Sequence, residues 1–104
     1  MPVSYLHQYQ QKLAQLGQRQ LLLLAGDPAW QVTQIQQITQ LCQGDWVTIS
    51  SNQSNAVLPE HAIRLLGREF LHAVFDANEG FNTDALAMLT GTLKAGSLLI
   101  LCLP

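Results

Sequence analysis

The run Phe70-Leu71-His72-Ala73-Val74-Phe75, closed by Asp76, constrains this chain more than any other stretch. Five of those six residues are apolar, and His72 is the one interruption. A near-continuous apolar run of this length suits a strand buried on both faces, as in a parallel sheet with helices on either side. Asp76 then falls where the strand leaves the sheet, on the carboxyl edge at which open α/β sheets bind ligands.

The flanking sequence alternates between helical periodicity and short apolar runs. Ser4 to Leu16 reads as a helix, with Leu6, Tyr9, Leu13 and Leu16 on one face, Ser4 as its cap and Gly17 just past its end. Arg19 to Ala25 is centred on four leucines, and its short length and the Gly26-Asp27-Pro28 turn make it a strand. Asp27 then caps a helix with Pro28 at its first position, running to about Leu41 with Val32, Ile35, Ile38 and Cys42 on its buried face. Gly44-Asp45 turns the chain into a second strand, Trp46 to Ser50, and Ser51 to Asn55 is a polar loop. Pro59 opens a short helix through Leu66, stopped by Gly67, and the Asp76 strand follows. Asn78-Glu79-Gly80 is a turn, and Asn82 caps a helix whose apolar face is Leu86, Leu89 and Leu93 and which ends at Ala95-Gly96. Gly91 falls inside that helix, where glycine costs about 1 kcal/mol relative to alanine, so close packing on the sheet is the expected reason for it. Ser97 to Leu103 is the last strand.

This order predicts an α/β, three-layer Rossmann-like domain: a four-stranded, mainly parallel sheet with right-handed crossovers and helices on both faces. With 104 residues, 48% of them hydrophobic, the chain is long enough for one globular core and too short for two, so residues 1–104 are expected to form a single domain. All four strand ends share one edge, at Gly26-Asp27, Ser50-Ser51, Asp76 and Leu103-Pro104. A reversal of the sheet after the second strand would put Asp27 and Asp76 on either side of the switch point. Twelve of the thirteen glutamines fall in the first 43 residues, alternating with apolar residues at helical spacing, and read as an uncharged solvent face. A core strand followed directly by Pro104 fits a natural C-terminus and, at least as well, a piece cut from a longer chain.

Five Lys and Arg against seven Asp and Glu give a net charge of −2, which argues against a strongly cationic nucleic-acid binder while leaving room for a local basic patch. Arg64, Arg68 and Lys94 are the basic residues of the second half. Arg64 and Arg68 share a helix face unless Gly67 breaks it, and can either touch RNA phosphates or pair with Glu60 and Glu69. The turn after the first strand has no G-x-G-x-x-G and no G-x-x-x-x-G-K-[ST], and Asp27 there would repel phosphate.

Asp27 and Asp76 are the strand-end candidates for Mg²⁺ or acid–base work. The favoured reading is a helix cap for Asp27 and, for Asp76, a strand-end carboxylate bonded to loop N–H groups. A phosphoacceptor site of the response-regulator kind would also need a lysine after a later strand, and none follows the last one. His7, His61 and His72 show no triad or metal spacing, and His72 reads as a hydrogen-bonded interior or edge residue. Cys42 and Cys102 form no C-x-x-C, so two reduced core thiols are expected in place of a zinc site. No serine sits in G-x-S-x-G. These residues point to no catalytic group, no resident metal and no cofactor in this stretch. The N-terminus lacks a basic region followed by an apolar one, and runs such as Leu98 to Pro104 are too short to cross a bilayer, so a cytoplasmic protein with no membrane partner is expected.

Three blocks carry a resemblance: Leu65-Leu66-Gly67-Arg68-Glu69-Phe70, then His72-Ala73-Val74-Phe75-Asp76-Ala77 with Gly80-Phe81, then Leu89-Thr90-Gly91-Thr92-Leu93-Lys94-Ala95-Gly96. With Gly44-Asp45-Trp46 they make the chain resemble the N-terminal domain of bacterial tRNA-Met cytidine acetyltransferase. The resemblance covers nearly the whole chain and is densest from Leu65 to Gly96. It implies a parent enzyme that acetylates the exocyclic amine of the wobble cytidine in elongator tRNA-Met, with acetyl-CoA as donor and ATP or GTP used by a helicase-like module. The ATP loop and the acetyltransferase fold lie downstream in that family, so none of their residues is carried over to this chain. What is implied here is a non-catalytic accessory domain that packs on the helicase-like module, with tRNA-Met as a further partner through Arg64, Arg68 and Lys94. The alternatives are a free-standing module that uses the Asp27/Asp76 edge for a metal or small ligand, and an interaction domain whose exposed apolar face docks a partner.

Overall fold

The Asp27 carboxylate accepts the Ala29 N–H at 3.1 Å and Pro28 occupies the first helical position, so the chain leaves its first strand and enters a helix within two residues. The computed structural model describes Lys12, Gln15, residues 19–51 and residues 56–104. Their elements are β1 (Gln20–Ala25), α1 (Pro28–Leu41), β2 (Trp46–Ile49), a 3₁₀ helix (Pro59–Leu65), β3 (Phe70–Asp76), α2 (Thr83–Thr90) and β4 (Leu93–Leu103). The expected helix from Ser4 to Leu16 lies outside the described residues apart from Lys12 and Gln15, both helical. The expected loop from Ser51 to Asn55 lies outside them apart from Ser51.

The four strands form one sheet in the order β1-β4-β3-β2, and every pairing is parallel. This is the expected α/β architecture. α1 carries the chain from one edge of the sheet to the other. The next two connections return one strand at a time. Right-handed crossovers travelling in opposite directions put their helices on opposite faces, and the side chains follow. Leu98, Ile100 and Cys102 of β4 pack with Leu24, Val74, Ile38 and Cys42 beneath α1. Leu99 and Leu101 pack with Ala73, Phe75, Ala62, Leu65, Ala85 and Leu89 beneath the 3₁₀ helix and α2. β3 and β4 are the central strands, covered on both sides, which is why β3 reads as unbroken apolar sequence.

Three expectations need correction. Travel does reverse after β2, but β4 lies between β1 and β3, so Asp27 and Asp76 end strands that are not neighbours. α2 ends at Thr90, and Leu93 already pairs with Phe70 in the sheet. The helical spacing of Leu86, Leu89 and Leu93 had simply run on into the first strand residue. β4 then accommodates an irregularity, since Phe70 faces Leu93 while His72 faces Leu98. Five steps on one strand match two on the other, and Gly96 at φ +82° makes the excursion possible. Gly91 is the C-cap of α2, with its N–H on the Ala87 and Leu89 carbonyls. A Cβ there would meet only the Met88 and Ala87 carbonyl oxygens, at 3.5 and 3.8 Å, so close packing on the sheet is not what requires glycine.

Candidate functional site

The carboxyl edge of the sheet is tied together through Gln31, in the first turn of α1. Its side chain is buried, at 2% exposure. Nε2 donates to the carbonyls of Leu103 at 2.7 Å and Leu24 at 3.0 Å, with Gly26 at 3.3 Å. Three acceptors thus share the two protons of one amide nitrogen. Oε1 accepts from Asn78 Nδ2 at 2.7 Å, and that nitrogen also reaches Asp76 Oδ1 at 2.7 Å. The Asn78 backbone N–H donates to the same Oδ1 at 3.0 Å, closing an Asx turn after β3. Ser50 Oγ, just past β2, donates to Asp76 Oδ2 at 2.8 Å. The ends of all four strands are therefore linked through Gln31, Asn78, Asp76 and Ser50.

Sequence reasoning placed Val32 on the buried face of α1 and counted Gln31 among the solvent glutamines. The structure reverses the two: Val32 is 46% exposed and Gln31 is interior. The signal was present, because positions 31, 35, 38 and 42 make the better helical stripe. A polar residue on an apolar stripe marks a side chain with partners waiting.

A hollow of about 210 Å³ opens beside this network, floored by Val32, Ile35, Val74 and Cys102 and edged by Asp76. Asp27 is not part of its lining, and its carboxylate is engaged at the start of α1. The two candidate aspartates thus sit on one edge without sharing a site. Among the described residues no group of three or more His, Cys, Asp and Glu side chains is placed to hold a metal ion. Burial, and then the nearby Asp76 charge, push the Cys102 thiol up to about 11, and burial also raises Cys42. Both are therefore poor nucleophiles at neutral pH.

His72 is fully enclosed and accepts the Leu98 N–H at Nδ1, 2.9 Å away, with its ring 4.6 Å from that of Trp46. Burial holds its pKa down at about 4, with the Gln43 backbone acting in the other direction. It is an interior, hydrogen-bonded residue with a packing role.

The basic candidates separate into two settings. Lys94 Nζ lies 3.8 Å from Glu69 Oε2, and both side chains are at least half exposed, so the pair contributes little. Arg64 and Arg68 instead line one cleft of about 460 Å³ together with His61, Val57, Leu58 and Leu65. The Arg68 guanidinium stands 4.9 Å above the Phe70 ring. The sequence groups Lys94 with the two arginines and shows His61 only as a histidine without triad or metal spacing.

Comparison with known proteins now bears on this geometry. Residues 1–104 match the family model described as tRNA(Met) cytidine acetyltransferase TmcA, N-terminal. The tRNA(Met) cytidine acetyltransferase of Photorhabdus asymbiotica is 52% identical over 95 residues, covering 91% of this chain and 14% of the relative. That of Pectobacterium atrosepticum is 46% identical over 104 residues, covering 97% of this chain and 15% of the relative. That of Yersinia pestis is 44% identical over 98 residues, covering 91% and 14% respectively. The chain spans about one seventh of the length of these relatives, at 14 to 15%. Matched from end to end by the family model and at up to 52% identity by these enzymes, the chain belongs to the family of tRNA(Met) cytidine acetyltransferase N-terminal domains.

Proposed function

We propose that this domain is the non-catalytic accessory domain of an enzyme that acetylates the wobble cytidine of elongator tRNA-Met in the cytoplasm. It packs on the helicase-like module and helps to hold the tRNA, while acetyl-CoA and ATP or GTP are handled by downstream modules. The observation that carries this function is the family match over residues 1–104 against relatives some seven times longer, of which the chain covers 14 to 15%. The carboxyl edge supports the accessory role. Where an α/β enzyme would present ligand-binding groups, Gln31, Asn78, Asp76 and Ser50 are engaged with one another and with strand-end carbonyls. Polar groups held in this way make a rigid block suited to packing and positioning.

The test compares the complete enzyme with a version lacking residues 1–104, with acetyl-CoA binding as the measure that the remainder is folded. Acetyl-CoA affinity and nucleotide hydrolysis are expected to persist while tRNA-Met binding and acetylation efficiency fall. Unchanged tRNA affinity and unchanged kcat/KM would overturn the proposal, as would a loss of acetyl-CoA affinity traced to contacts with this domain.

A further inference from the structure

The segment Pro59–Leu65 and the turn after it bring three nitrogen-bearing side chains onto one cleft. With three residues per turn, positions i and i+3 lie directly in line, so His61 and Arg64 stack along one side of the segment Pro59–Leu65. The Arg68 N–H then returns to the Leu65 carbonyl at 3.0 Å, which folds the chain back and sets the third side chain on the same cleft. Phe70 supports the Arg68 guanidinium from one side, at 4.9 Å.

The charged residues that line this cleft are of one sign. None of its lining residues is a carboxylate. Of the chain's five Lys and Arg, Lys94 faces Glu69 and Arg19 donates to the Thr90 carbonyl at 3.0 Å. Among the described residues no carboxylate lies within ion-pair distance of Arg64 or Arg68. In a protein of net charge −2, two unpaired guanidinium groups and an imidazole on one opening of about 460 Å³ form a local anion-seeking surface. Guanidinium forks match the paired oxygens of a phosphate, and Val57, Leu58 and Leu65 give the opening an apolar floor beside it.

We propose that the cleft walled by His61, Arg64 and Arg68 grips a backbone phosphate of the RNA substrate, an assignment that rests on the tRNA-holding role proposed above. Lys94 stands outside it.

Binding of a tRNA-Met transcript to the complete enzyme, followed by fluorescence anisotropy between about 50 and 200 mM salt, tests the assignment. The double variant Arg64→Ala/Arg68→Ala is expected to bind more weakly, with the slope of log affinity against log salt reduced by about 0.7 to 0.9, the share of the one phosphate the cleft holds. Arg64→Lys/Arg68→Lys keeps the slope and loses part of the affinity. Lys94→Ala changes neither. If loss of the Phe70 contact unfolds the double variant, the single variant Arg64→Glu, which leaves that contact intact, is expected to weaken binding on its own.

Unchanged affinity and slope in Arg64→Glu and in the double variant, while removal of residues 1–104 still weakens tRNA binding, would overturn this assignment and leave the accessory function standing. If removal of the domain has no effect, both fall. Binding of inorganic phosphate at low millimolar concentration, abolished by Arg64→Glu and without effect on tRNA affinity, would assign the cleft to a free phosphate ligand and overturn the RNA assignment.

Discussion

The backbone N–H of Leu98 donates to the imidazole Nδ1 of His72 at 2.9 Å, so a side chain supplies an acceptor at the point where β4 rejoins β3 after its irregularity. Lys94 to Ser97 bulge away from the β3 ladder, and the first residue to return presents a buried donor. An apolar side chain at position 72 would leave that N–H without a partner, at about 1–3 kcal/mol. The one polar residue in the β3 run is thus required by the irregularity opposite it.

This geometry requires a neutral ring, because protonated Nδ1 would point a hydrogen at the Leu98 N–H. The pKa is about 4 in the folded protein and near 6.5 in the unfolded chain. The resulting stability is fully present above pH 6.5 and is lost as pH falls through about 4, on the order of 3 kcal/mol in total. Urea midpoints measured across this range are expected to fall with acid in the wild type. In His72→Leu they start lower and fall less steeply. Parallel curves would show that His72 is not the group being titrated.

Gln31→Leu is expected to cost about 2 kcal/mol, because it removes a donor from the Leu24 and Leu103 carbonyls and an acceptor from the Asn78 amide, while the Gly26 N–H still serves Leu103 and Asp76 still serves Asn78. Gln31→Glu costs more, since it sets acceptor oxygens against carbonyl oxygens. Gln37→Leu, on the exposed side of the same helix, stays within about 0.5 kcal/mol. Chemical denaturation of the three variants orders them directly, and equal costs at positions 31 and 37 would show that the network adds nothing to the fold.

The alternation of elements was legible because each carries a local signature. Asp27 and Asn82 cap their helices as short polar side chains do, and the β3 run could only be a covered strand. Strand order was not legible, since no residue records which edge of the sheet a crossover reaches. The start of β4 was hidden because Leu93 fits a helical period and a strand position equally well. Gln31 was misread as its neighbours were read, by composition in place of phase. The cleft was legible in part, since His61, Arg64 and Arg68 stand three and four residues apart, but spacing does not show that the helix ends at Leu65 and that the turn after it returns Arg68 to the same opening.

Gly44 occupies a backbone position at φ +138°, and a Cβ built there would lie 2.6 Å from Leu71 Cδ2 and 3.3 Å from Leu71 Cβ. Gly80, at φ +145°, has nothing within 4 Å. Gly80→Ala therefore reports backbone strain alone, about 1 kcal/mol or somewhat more. Gly44→Ala adds a steric clash and is expected to cost at least 1 kcal/mol beyond that. Leu71→Ala removes Cδ2, the atom that clashes at 2.6 Å, and leaves only Cβ at 3.3 Å, so Gly44→Ala should cost less in that background. Strictly additive melting shifts in the double variant would place the cost of Gly44→Ala in the backbone.

The two thiols test how tightly the α1 face of the sheet is closed. Cys42 and Cys102 are both buried in that core, at 0% and 2% exposure. Only the thiolate attacks a disulfide reagent, and burial disfavours it at both positions, raising Cys102 to about 11. Modification of the native protein at neutral pH is expected to be slow and to follow the unfolded fraction as urea is added. A raised thiol pKa means that the associated stability is present below the unfolded value, near 9, and is lost as pH rises through about 11. The Asp76 carboxylate contributes to that rise, so Asp76→Asn should bring thiolate absorbance at Cys102 to lower pH even as it perturbs the Ser50 contact. Rapid labelling of native Cys102 at neutral pH would show that the hollow beside Asp76 admits reagent to the sulfur and that the core on this face is open.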